Sequence, residues 1–186
     1  MKTRLLSALL CFAVQVHLTE AQANTNQGPQ DTKSSGATCS MCNTMPNEQA
    51  RTDDINERGA LGMGFSQTAT THHFFLTPQG GAIQVEANSS TDKTDREEIR
   101  LHLSHIARAF EAGNFEIPMF VHAVTPPGVP AMKLLKERIT YLFVETPNGG
   151  RVEIRTADGE ALQAVHEFLQ FQIRDHKTGD PLDVPK

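Results

Sequence analysis

Thr71-His72-His73-Phe74-Phe75-Leu76-Thr77-Pro78-Gln79-Gly80-Gly81 decides the fold, because the chain says it twice. The second version is Thr140-Tyr141-Leu142-Phe143-Val144-Glu145-Thr146-Pro147-Asn148-Gly149-Gly150. The threonines, the first Phe, Pro and both glycines recur in place, and apolar alternation continues in step, Ile83 and Val85 against Val152 and Ile154. An internal repeat constrains architecture before any finer feature does. Each copy reads as a β-hairpin, alternating apolar and polar residues around a Pro/Gly turn. With Gln79-Gly80 and Asn148-Gly149 as two-residue turns, the register sets Leu76 against Ile83, Phe74 against Val85 and His72 against Ala87. It likewise sets Phe143 against Ile154 and Tyr141 against Thr156. His72 and Tyr141 then share the apolar face, and His73 points the other way.

A helical pattern follows each hairpin. Thr94-Asp95-Arg96-Glu97 reads as a capping box and Gly113 as a C-terminal stop, with Ile99, Leu103, Ile106 and Phe110 on one stripe. The second helix is expected from the N-cap Asp158 to about His176, burying Leu162, Val165, Leu169 and Ile173. The fold class is therefore α+β. Two ββα repeats make one four-stranded antiparallel sheet with two helices on one face. The other face, with His73, Phe75, Gln84, Glu86, Leu142, Val144, Glu153 and Arg155, is left for solvent or a second subunit.

Residues 62–183 hold this duplicated domain, with an unduplicated insertion at 114–136. Phe115–His122 is apolar and extended in character. Thr125–Pro130 is too proline-rich for regular helix, and Ala131–Lys136 fits a short helix. Residues 24–61 are polar and lack core periodicity, so they read as a disordered tail. Residues 1–23 read as a signal peptide: a basic start, an apolar run over Leu5–Val16 and an Ala21-Gln22-Ala23 cleavage site. That run is shorter than the roughly 20 residues a membrane helix needs. A periplasmic or secreted protein cleaved near Ala23, with no membrane span, is the expectation.

The chain carries a net charge of −5. Losing Lys2, Arg4 and Glu20 with the signal makes it −6 (−5 − 2 + 1), which speaks against nucleic-acid partners. With no Trp and one Tyr, platforms for stacking bases or sugars are scarce. The tail holds Cys39-Ser40-Met41-Cys42. In an oxidising compartment this spacing suits a local disulfide; thiolates with Met41 and Met45 also suit Cu(I). Asn43 after Cys42 excludes c-type haem attachment, and without a second Cys pair a four-cysteine zinc site is excluded.

Chemistry in the domain rests on histidine. His72, His73, His102, His105, His122, His166 and His176 all fall within it. Neutral imidazole is the commonest protein ligand for metals. His102 and His105, three apart on one helix, are neighbours, and Glu98 lies one turn before His102. His72, His102, His105 and His122, with Met119 as a soft donor, form a candidate site for copper or zinc. His73, His166 and Met132 are secondary candidates, while His176 is explained by a helix C-terminus that favours a cation. No nucleophile elbow, phosphate loop or HExxH motif is present, so a binding protein is favoured over an enzyme. Two other classes stay open. One is an interaction or dimerisation module using the open sheet face. The other is a small hydrolase or lyase with His122 or His72 as general base, which requires a pocket beneath the Pro126–Pro130 loop.

Further segments are Met63-Gly64-Phe65, Gly80-Gly81-Ala82-Ile83, His102-Leu103-Ser104-His105-Ile106 and Pro126-Pro127-Gly128-Val129-Pro130-Ala131-Met132. They continue with Val165-His166-Glu167-Phe168-Leu169 and Gly179-Asp180-Pro181. In these and Thr71–Phe74 the chain resembles a family of small exported bacterial proteins without established function. The resemblance spans roughly residues 62–183 and implies a self-contained domain, with no mechanism attached. Some members carry the name aspartate carbamoyltransferase. The Ser-Thr-Arg-Thr carbamoyl-phosphate motif of that enzyme is missing from this sequence.

Overall fold

The computed structural model describes residues 48–186. The expected signal peptide, the CxxC with its expected disulfide and the tail before Glu48 lie outside the described residues. Strands β1 (Thr70–Thr77), β2 (Gly80–Ala87), β3 (Ile139–Thr146) and β4 (Gly149–Thr156) form one antiparallel sheet in the order β1-β2-β4-β3. Helices α2 (Lys93–Glu111) and α5 (Gly159–His176) cover one face. The two-residue side-chain period puts Phe74, Leu76, Ile83, Val85, Ile139, Tyr141, Val152 and Ile154 in the core beneath them.

The hairpins turn one residue earlier than their Gln-Gly and Asn-Gly pairs suggest. Thr77 pairs with Gly80 and Thr146 with Gly149, so the turns are Pro78-Gln79 and Pro147-Asn148. Phe74 therefore faces Ile83, His72 faces Val85 and Tyr141 faces Ile154. The correction shifts pairing by two residues, so every side chain keeps its face. The physical reason lies in the neighbouring hairpin. A Cβ on Gly80 would stand 2.0 Å from the Ile154 carbonyl oxygen, and one on Gly149 would stand 2.1 Å from that of Val85. These glycines let β2 and β4 meet at the centre of the sheet, a role that local turn rules do not contain.

The helices exchange partners. α2 follows the first hairpin but lies chiefly on β3 and β4, and α5 follows the second but lies chiefly on β1 and β2. Each also holds the turn of the hairpin it covers. Arg100 donates to the Thr146 and Gly149 carbonyls (2.7 and 3.0 Å). His166 Nε2 lies 3.0 Å from the Thr77 and Gly80 carbonyls, both acceptors, so it carries the proton. Thr77 and Gly80 occupy in the first repeat the places of Thr146 and Gly149 in the second. His166 is thus a turn clamp and the counterpart of Arg100.

Four local expectations change. The polar stretch expected to be disordered as far as residue 61 is helical from Glu48, as α1 (Glu48–Met63). Only Ile55 and Gly59 of α1 are buried, which is why no apolar periodicity announces it. Tertiary contacts hold it instead: Arg58 donates to the Val121 carbonyl (2.8 Å) and Arg51 pairs with Asp175 (2.6 Å). The N-cap of α2 is Asp92, two residues before the expected Thr94, and it accepts from Asp95 N. The supposedly extended Phe115–His122 is α3 (Glu116–His122). Its Pro118 falls in the first turn, where a missing N–H costs nothing. Finally, α4 (Val129–Leu134) starts inside the proline run, with Pro130 in its first turn and Gly128 as N-cap at φ 79°. Met132, a secondary metal candidate, is fully buried in the core.

Candidate functional site

Four of the histidines meet between the sheet and the helices. His72 comes from β1, His102 from α2, His122 from the end of α3 and His176 from the last turn of α5. All four line one cavity of about 60 Å³, whose remaining wall includes Met63, Phe74, Phe110, Ile117, Val121 and Gln172. At roughly 15 Å³ per water-sized occupant, that space suits an ion or a molecule of a few atoms. The His72 and His176 rings lie parallel with centroids 5.6 Å apart, and His176 meets His122 edge-on at 4.9 Å. Phe65 bridges the far side, 6.2 Å from His72 and 5.6 Å from His102.

His122 is the most firmly oriented of the four. It is fully buried, and its Nδ1 lies 2.5 Å from Asp175 Oδ2 while Nε2 lies 2.8 Å from Gln172 Oε1. The other Asp175 oxygen takes two bonds from the Arg51 guanidinium. A carboxylate behind an imidazole fixes its tautomer and ring direction. This arrangement also ties α1 to the cavity wall, and Met63 at the end of the same helix lines the space itself.

Three of the imidazoles, those of His72, His102 and His176, are pushed toward the neutral form. Burial pushes His72 down to about 4, helped by the nearby His102 and His73. Burial pushes His102 to about 4 as well, with His105 adding to it. His176 is held well below the usual imidazole range, by burial first and then by His72 and His122. An apolar surrounding disfavours the charged ring, and crowding among imidazoles compounds this. His72 Nε2 is sealed from solvent and has no hydrogen-bond partner. It is one of six such atoms among the described residues, and Gln172 Nε2 is another on the same wall; buried polar atoms are otherwise nearly always satisfied.

The sequence-based set is therefore brought together in part. His72, His102 and His122 converge as expected. His105 does not join them: it is exposed and borders a different groove beside Asn114 and Glu116. Helical neighbours three apart are about 60° apart around the axis, and here that turns His105 away from the sheet. Met119 also stands apart, its sulfur 3.9 Å from Lys133 Nζ. Glu98 is exposed. His73 lies on the opposite face, bonded through Nδ1 to Asp180 (3.0 Å). The residues missed are His176 and Met63. His176 follows Ile173 by three positions, and so continues the buried stripe of α5; Met63 adjoins Phe65 at the domain's edge. Among the described residues, no three His, Cys, Asp or Glu side chains form a ready-made metal-ligand group.

Beneath the proline run the space at Gly128 is filled. A Cβ on Gly128 would lie 2.0 Å from the Ala164 carbonyl, so the loop rests directly on α5. No helix among the described residues is long and apolar enough to cross a membrane. No family model, curated protein or solved structure matches this chain.

Proposed function

We propose that this domain binds a transition-metal ion, copper or zinc, in the histidine-lined cavity. The observation that carries the reading is His72 Nε2, buried and unpartnered in a wall shared with His102, His122 and His176. Depressed basicity separates ligation from catalysis. A general base works best near the operating pH, and the His72 and His102 imidazoles, at about 4, are too weak to hold a proton there. The same property helps a ligand, because no proton competes for the lone pair. With no ready trio, an ion is taken by two of the imidazoles and completed by a small side-chain movement.

The test is metal content by mass spectrometry after purification without a histidine tag, with melting followed on adding copper or zinc. Binding through the cavity raises the melting temperature, and His72→Phe removes the rise. A metal-free protein whose melting ignores both metals sinks the reading.

The edges of the sheet support a second reading, self-association through the open face. The outer edge of β1 is closed by the C-terminal segment, where Asp180 accepts from Phe74 N (2.9 Å). Among the described residues no such bond closes the outer edge of β3, where Leu142 is 57% and Val144 39% exposed. Unclosed edges and apolar faces favour strand pairing. This reading requires a concentration-dependent dimer in sedimentation, insensitive to chelator and lost on Leu142→Lys or Val144→Lys. A monomer at all concentrations rules it out.

A further inference from the structure

We infer that the cavity selects a soft monovalent ion, Cu(I), over Zn(II), and that Met63 is one of its ligands. This rests on the metal-binding reading above and asks which ion the wall can accept. The decisive feature is what the wall lacks: the residues lining it include no Asp, Glu, Lys or Arg. The nearest carboxylate, Asp175, stands behind His122 and is already engaged by Arg51. An ion leaving water for this largely apolar wall therefore finds no anionic ligand to offset the desolvation penalty of its charge.

That penalty rises with the square of the charge, so a divalent ion meets about four times the cost of a monovalent one. Structural zinc sites meet it with thiolates or carboxylates and a tetrahedral shell. Here neither is on the wall, and the described residues gather no trio of His, Cys, Asp or Glu. Cu(I) has the opposite needs. It is soft, takes neutral imidazole and thioether donors, and is satisfied by two or three ligands. Met63 supplies the thioether. It lies at the C-terminal end of α1, partly buried against the core, and lines the same cavity as His72 and His102. The Gln67 amide lies 3.9 Å from its sulfur, and a thioether keeps a second lone pair for an ion.

The tail's Cys39-Ser40-Met41-Cys42 is a rival Cu(I) ligand set, so the test must remove it. The full chain carrying Cys11→Ser, Cys39→Ser and Cys42→Ser is titrated anaerobically with Cu(I) against a chromophoric Cu(I) chelator, and in parallel with Zn(II). The expected result is one Cu(I) per chain, bound at least about 100-fold more tightly than zinc. Met63→Leu, a change of similar volume, lowers Cu(I) affinity about tenfold or more. In the unsubstituted-methionine protein, methyl-labelled methionine NMR shows the Met63 resonance moving on Cu(I) addition, a readout that does not depend on the variant folding. Zinc bound as tightly as Cu(I) overturns this inference and leaves metal binding standing. A Met63 signal that stays put while Cu(I) binds removes Met63 as a ligand and overturns the inference as stated. If neither metal binds once the cysteines are gone, both readings fail together.

Discussion

Acidification from pH 7 to pH 5 should destabilise the fold through the cavity histidines. His72 and His102 fall from 6.5 to about 4 on folding. A group whose folded-state value is depressed binds fewer protons folded than unfolded between the two values. Stability then rises with pH across that window, is fully present above about 6.5 and drains away as pH falls toward 4. At pH 5 each imidazole is about 1.5 pH units below its unfolded value, which is about 2 kcal/mol at 1.36 kcal/mol per unit. The two together reach about 4 kcal/mol as an upper bound, since they repel one another and their effects overlap. His176 acts in the same direction. For a domain of this size that is a fall of roughly 10 °C in melting temperature. Asp158 and Asp180 are both held below the usual carboxylate range. At Asp158 the Ala161 amide is the main cause, followed by Arg138. At Asp180 burial pushes upward, but bonds from Thr178, Phe74 N and His73 outweigh it. Those carboxylates lose their contribution only below about pH 4, so the window from 7 to 5 belongs to imidazoles. The assay is guanidinium unfolding at pH 7, 6 and 5, for the parent chain and for His72→Phe, which keeps a ring but cannot titrate. A parent midpoint that stays flat or rises between pH 7 and 5 would refute the reasoning, as would a His72→Phe variant with an undiminished slope.

The turn clamps make a paired prediction: His166→Ala and Arg100→Ala each lose two bonds to turn carbonyls and should cost about 1–2 kcal/mol by chemical unfolding. Variants within 0.3 kcal/mol of the parent (about the additivity error of such measurements) would show the contacts to be incidental. Gly80→Ala places a methyl against the Ile154 carbonyl at a φ of 144°, so it should cost more than about 3 kcal/mol or abolish soluble protein. A near-neutral Gly80→Ala contradicts the β2–β4 register. Asp175→Asn should weaken the link between Arg51 and His122 by about 2 kcal/mol. Hydrogen exchange would then show α1 opening faster than the sheet, and unchanged protection of α1 means that the pair does not hold it.

Sequence alone determined the sheet, because period-two alternation, duplicated turns and amphipathic stripes are local features that tertiary context had no cause to override. It also placed every strand residue on its correct face despite the register error, since a shift of two preserves parity. The exchange of helices between hairpins was not legible, as both connectivities bury the same stripes. Neither was α1, whose sequence carries almost no apolar signal and which is fastened by Arg51 and Arg58 to residues far along the chain. For the site, three of the four cavity imidazoles were in the candidate set. Tertiary structure made the final selection. Helical spacing put His105 beside His102, but the way α2 lies on the sheet turns one toward the cavity and leaves the other in solvent. It brought in His176 and Met63 from opposite ends of the domain, and turned His166 from a ligand candidate into a clamp. Which side chains share a small cavity depends on how elements distant in sequence pack, and no spacing within one element encodes that.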